Sequence, residues 1–159
     1  MQPISAEIVE KTWRKQAQMS PEEIPRLVNR MAKQQPVLMA YLMAVDQDIL
    51  NREEQELQFY LGIAVWQMME QGDKKLAKVT EKRIEEMEQK NEEMLEYLEK
   101  EPEFEKTVEM IFGDYNQKEV LRYVFEALFE EADEEENIRE GMKGIIGINL
   151  KTVIDCLDQ

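Results

Sequence analysis

Residues 57–69 carry no charge, and Gln58 and Gln67 are the only polar side chains among them. Residues 37–45 are nine apolar side chains in succession. Neither run alternates with period two, so neither reads as a half-buried strand. The longer run, at 13 residues, also falls short of a membrane span, which needs about 20. A helix that is apolar on every side is stable only inside a shell of other helices, and the rest of the chain offers one. Val120, Leu121, Val124, Phe125, Leu128 and Phe129 step by three and four and place an apolar stripe on a single face. Everything periodic in the sequence has this helical period.

Helix punctuation is readable along the chain. Ser20-Pro21-Glu22-Glu23 offers a capping hydroxyl, a proline at the first helical position and a glutamate at the third, which together take up backbone N–H groups that have no partner in the first turn. Asn51 with Glu54, and Asn116 with Glu119, repeat that logic. Pro36 and Pro102 stand where proline opens a helix, and Gly72 and Gly113 where glycine ends one. These signals predict helices over 5–18, 21–34, 36–46, 52–71, 74–100, 102–112, 117–132 and 138–158. The expected fold is an all-α bundle of about seven to eight helices, with one long charged helix around 74–100. No Pro/Ser/Gly linker and no fixed repeat divides the chain, so residues 1–159 are read as one domain.

Composition then removes whole classes of function. The chain has 35 acidic and 20 basic residues, a net charge of −15, and no histidine. A free-standing nucleic-acid binder needs surplus Lys and Arg, so nucleic acid is not expected as a partner. Without imidazole there is no Ser-His or Cys-His nucleophile and no histidine-bound metal. Cys156 stands alone, which excludes an internal disulfide and a thiolate cage. No cofactor is expected. The opening residues Met1 to Glu7 show neither the basic nor the apolar region of a secretory leader. A cytoplasmic protein away from membranes is the expectation.

The charge is unevenly placed. Residues 1–80 carry 10 basic and 11 acidic groups, 81–109 carry 5 and 12, and 126–140 carry 1 and 8, while 110–125 and 141–159 balance. Two stretches at −7 each thus hold nearly all of the −15.

Within the first stretch, Ile84, Met87, Asn91, Met94 and Leu98 fall on heptad positions a and d and make one narrow seam. Asn91 takes an a position, where a buried amide fixes register in a coiled coil, and Arg83 and Glu88 stand at g and e, placed to pair across a parallel dimer. The seam is the candidate interaction surface, for a partner protein or a second copy; the other reading is an antiparallel helix packed on its own domain with Asn91 at the edge. The methionines, 11 in all, fit either an adaptable groove or gap-filling in a core.

The carboxylates point to a different chemistry. Pairs such as Glu7/Glu10, Glu53/Glu56, Glu85/Glu88, Glu93/Glu96 and Glu96/Glu99 share a helix face, as one hard cation requires. Glu53-x-x-Glu56 followed by Glu70-x-x-Asp73 is similar in spacing to the magnesium-binding carboxylates of all-α nucleotide pyrophosphohydrolases. On one continuous helix, however, Glu53 and Glu70 stand roughly 25 Å apart and share no ion. Asp46-x-Asp48 opens like a calcium loop, but Asn51 and Leu57 occupy the glycine and bidentate-glutamate positions. The run Glu130, Glu131, Asp133, Glu134, Glu135, Glu136 reads as a solvated helix end. Gly141, Gly144 and Gly147 suit close helix packing or a hinge rather than a phosphate loop, which follows a strand.

The expected function is a non-catalytic helical module that binds another protein, a basic one or itself. The alternative is a magnesium-dependent, carboxylate-based nucleotide hydrolase using glutamates from several helices. A third reading is a small-molecule pocket lined by Tyr41, Tyr60, Trp66 and methionines.

Overall fold

The computed structural model describes residues 1–131 and 137–159, with the backbone alone at Phe104 and Glu131. Among the described residues there are eight α-helices and no strand: α1 (Ala6–Ala17), α2 (Glu23–Gln34), α3 (Pro36–Ala44), α4 (Arg52–Glu70), α5 (Glu81–Leu98), α6 (Phe104–Phe112), α7 (Lys118–Glu126) and α8 (Glu140–Leu157), with a π-turn, Ala127–Glu131, continuing α7. This is the expected all-α multi-helix bundle. No helix among the described residues is long and apolar enough to cross a membrane.

Two helices form the axis of the bundle. α4 touches α1, α2, α3, α7 and α8, and α8 touches α4, α5 and α7. Leu61, Trp66, Met68 and Met69 of α4 and Ile146, Leu150, Ile154 and Leu157 of α8 are fully buried. α4 is the central helix its uncharged run predicts. α3 is not: only Leu38, Met39 and Leu42 are buried, and Met43 is 64% exposed. The second axial position belongs to α8, whose buried set includes Lys143, Asn149, Lys151 and Thr152. Gly147 allows its close approach to α7, since a Cβ there would lie 3.3 Å from the Phe125 ring. Gly141 and Gly144 are helical with open space around them.

Capping sets several boundaries and long-range bonding moves others. Asn51 and Glu54 form the predicted reciprocal box, the Glu54 N–H donating to Asn51 Oδ1 at 2.8 Å and the Asn51 N–H to Glu54 Oε1 at 2.9 Å. Pro36 opens α3. Ser20 caps nothing with its side chain: its carbonyl closes a turn onto the N–H groups of Glu23 and Ile24, and α2 starts at Glu23. Asn116 is drawn off to Asp158 and the Met1 carbonyl, and α7 starts at Lys118. α6 starts at Phe104, two residues past Pro102. Asp133, Glu134, Glu135 and Glu136 lie outside the described residues; the backbone just before them, expected to end the helix, is the π-turn.

The largest correction is to the long charged helix, which runs from Glu81 rather than 74. Residues 74–79 are an extended strap held by one side chain. Gln35, buried at the junction of α2 and α3, accepts the Val79 N–H at 2.9 Å and donates to the Ala77 carbonyl at 2.9 Å. Val79, the last residue of the strap, packs into the core, and the Thr80 hydroxyl then caps α5 by accepting the Arg83 N–H.

A second clasp closes the far end of α4. Arg139 forks onto the buried Glu54 carboxylate, Nη2 to Oε1 at 2.6 Å and Nε to Oε2 at 3.1 Å, while its own N–H donates to Oε2 at 2.8 Å. Burial alone would push the Glu54 carboxyl up. The Arg139 side chain, then the N–H groups of Asn51 and Arg139, outweigh it and hold the group below the usual glutamate range.

Gln35→Met keeps the volume but strips the strap of both bonds, so it is expected to lower stability by about 1–3 kcal/mol, read by urea unfolding, and to accelerate amide exchange at Val79. The Glu54 carboxyl has a lowered folded pKa, so its stabilisation is complete above the pH of about 4.3 at which an unfolded glutamate titrates and is lost as pH falls through the folded value. The stability gap between the wild type and Glu54→Gln is therefore expected to be widest at neutral pH and to close on acidification.

Candidate functional site

Met87, Asn91 and Met94 of the α5 seam face Lys151 and Asp155 of α8 in the same chain, and Ile84 lies beside Val37 and Tyr41 of α3. Ile84 and Met87 belong to the main core, Asn91 and Leu98 are buried, and Met94 is half-buried. The helices run in opposite directions, since the Arg83 carbonyl lies 3.9 Å from the Cys156 sulfur while Asn91 meets Thr152 and Lys151. Of the two arrangements compatible with the heptad pattern, this is the packing of the helix on its own domain, with Asn91 in the middle of the contact rather than at its edge.

Asn91 is there the hub of a polar cluster. Its Nδ2 donates to Thr152 Oγ1 at 2.9 Å and Asp155 Oδ2 at 3.1 Å, and its Oδ1 accepts Lys151 Nζ at 2.7 Å. Lys151 also bonds Asp155 at 2.8 Å and lies 4.9 Å from the centre of the Tyr115 ring. Tyr115 donates to Asp155 Oδ1 at 2.6 Å. Burial first, then the Asp155 charge, push that phenol far above its ordinary range. Arg83 Nη2 caps the Asp155 carbonyl at 2.9 Å. Burial also pushes the neighbouring Cys156 thiol up to about 12, which removes it as a nucleophile near neutral pH. The cluster is a structural network in which Lys151 and Asp155 answer one another.

The carboxylates of the hydrolase pattern do not converge. Glu56 pairs with Arg52 at 3.0 Å and Glu70 with Arg30 at 2.7 Å, Asp73 accepts the Gln2 N–H, and the exposed Glu53 is met by Asn137. Among the described residues no group of three or more His, Cys, Asp or Glu is placed to hold a metal ion. Nor do Tyr41, Tyr60 and Trp66 line one pocket. Trp66 is fully enclosed with the Arg30 guanidinium 4.6 Å over its ring, Tyr60 is exposed, and Tyr41 sits half-buried beside Val37 and Glu88. Of the methionines, Met39, Met68, Met69 and Met87 fill the core.

The open apolar site lies elsewhere, between α6 and the end of α7. It is a groove of about 550 Å³ with Val108, Ile111 and Phe112 on one wall and Phe125 and Phe129 on the other. The rings form a ladder: Phe112 meets Phe125 edge-on at 5.7 Å, and Phe125 stacks on Phe129 at 5.7 Å and 17°. Phe129 is 48% exposed, and Val108 and Met110 of α6 are exposed beside it. Glu109 stands on one rim and Glu126 and Glu130 on the other. Arg122, which also reaches the groove, is held in a fork by Glu119 at 2.8 and 3.0 Å. Each of the two acidic stretches thus supplies one rim.

Sequence reasoning missed this groove. Phe125 and Phe129 read as one stripe with Leu121 and Leu128, but the buried face is Val120, Leu121, Val124, Ala127 and Leu128, and Phe129 stands off it in the open within the π-turn. The available signal was the apolar run in α6, a short helix flanked by acidic residues.

Asn91→Leu removes the bonds to Thr152, Lys151 and Asp155 while leaving the Lys151–Asp155 pair, so it is expected to cost about 1–3 kcal/mol in urea unfolding and to leave the mass in solution unchanged by sedimentation. A change of mass with intact stability would instead mean that the seam joins two chains.

Comparison with protein-family models, with curated proteins and with solved structures found no match, so what the groove does is argued from its own chemistry.

Proposed function

We propose that this chain is a non-catalytic docking module whose groove between α6 and α7 holds an apolar segment of another protein. The observation that carries the reading is the open aromatic wall of Phe125 and Phe129 facing Val108 and Ile111. A contiguous apolar patch rimmed by polar groups marks an interaction site, and aromatic side chains are the usual anchors of such contacts. The magnitude suits reversible binding. Each Leu- or Phe-sized side chain buried contributes about 1.5–3 kcal/mol, and the cost of association and ordering cancels much of what two or three of them provide. A second copy is a poor occupant, because two copies of a chain at −15 would bring their acidic rims together.

The test uses a short synthetic peptide with Leu and Phe along one helical face and uncharged Gln and Ser elsewhere, titrated into the protein and followed by NMR. Saturable shifts at Phe125 and Phe129 are expected, with affinity falling at least ~tenfold in Phe129→Asp. Phe129 is 48% exposed, and an unchanged helical circular dichroism spectrum of Phe129→Asp checks that the variant keeps the fold. Absence of saturable binding, or binding unchanged by Phe129→Asp, overturns the reading.

A further inference from the structure

We infer that the occupant of the groove is a basic amphipathic helix carrying Lys or Arg along both edges of its apolar face; this rests on the docking reading above and names its partner. The rim charges point to it. Glu109 stands on the α6 side, and Glu126 and Glu130 stand opposite. A helix lying between these walls with its apolar face down brings its two flanking edges under acidic side chains on both sides. The single cation at the groove, Arg122 among the described residues that line it, is already held by Glu119 and does not offset the rims.

The walls also select helix over extended chain. They are built from helices, whose backbone groups are bonded internally, and no strand lies among the described residues to offer an open sheet edge. An extended peptide would lay its N–H and C=O groups against Phe112, Phe125 and Phe129 without partners. A helix satisfies its own backbone and presents side chains alone, at the i, i+3, i+4 spacing that matches Val108 to Phe112 and Phe125 to Phe129. The same acidic rims decide against the two other classes that recognise apolar or aromatic surfaces: anionic membranes and nucleic acids are both repelled.

The experiment compares four peptides sharing one apolar face: the Gln/Ser form, a form with Lys on both edges, a form with Glu on both edges, and the Lys form with a central proline. At low salt the Lys form is expected to bind at least ~tenfold more tightly than the Gln/Ser form, to lose that gain in high salt, and to lose it in Glu126→Gln/Glu130→Gln. The Glu form and the proline form are expected not to bind. Equal affinity of the Lys, Gln/Ser and Glu forms overturns the basic partner and leaves the docking site standing. Undiminished binding of the proline form overturns the helix. Failure of all four removes the docking reading itself.

Discussion

A carboxamide buried in a helical bundle carries two donors and an acceptor, and each must meet a partner at hydrogen-bond distance. Such groups hold this bundle in register. Gln35 pins the strap to the α2–α3 junction, and Gln117 accepts the Ile4 N–H while donating to Asp158. Asn149 joins α8 to Asp46 and Gln58, and Asn91 joins α5 to Thr152 and Lys151. Apolar contact is non-directional and tolerates a helix that slides or turns. A buried amide does not, because a displaced one leaves a donor or acceptor bare at a cost of about 1–3 kcal/mol.

That division of labour explains which parts of the structure were legible. Where a boundary is local, as at Asn51 and Glu54, the sequence motif and the observed bonds agree. Where a capping side chain has a distant competitor, the motif misleads: Asn116 has the right spacing but is taken by Asp158. The strap over 74–79 is hidden for the same reason, since its partner, Gln35, lies some forty residues away with no local mark of its role. α8 is hidden by its polarity. Lys151, Thr152 and Asp155 make it look like a surface helix, yet Asn91 and Tyr115 answer those groups and let it sit in the centre.

The heptad seam on α5 carries a related lesson. An a/d pattern states that a helix has a narrow apolar face and says nothing of which chain covers it. Here α8 covers it, with the polar residues facing Asn91 spaced at one turn. The charge arithmetic was informative in a way the motifs were not. The stretches 81–109 and 126–140 are separated in sequence, and α6 and α7 bring Glu109 together with Glu126 and Glu130 around one groove. A formal charge excess spread over a surface serves solubility; the same excess arranged along two sides of an apolar trench gives the field there a direction.

The position of the groove follows from how unevenly the bundle spends its apolar surface. α4 and α8 carry most of the fully buried side chains, whereas α6 contributes none among its described side chains. Elements with few buried contacts cost least to displace, so a partner can dock against α6 without disturbing the axis. The π-turn at Ala127–Glu131 completes the arrangement. The stripe of Val120, Leu121 and Val124 continues into the core through Ala127 and Leu128, while Phe129, off that face, is left half exposed and stacked on Phe125. π-turns are rare and occur frequently at functional sites. Here the exposed Phe129 and the half-buried Phe125 form the edge of the stripe, and that edge is one wall of the groove.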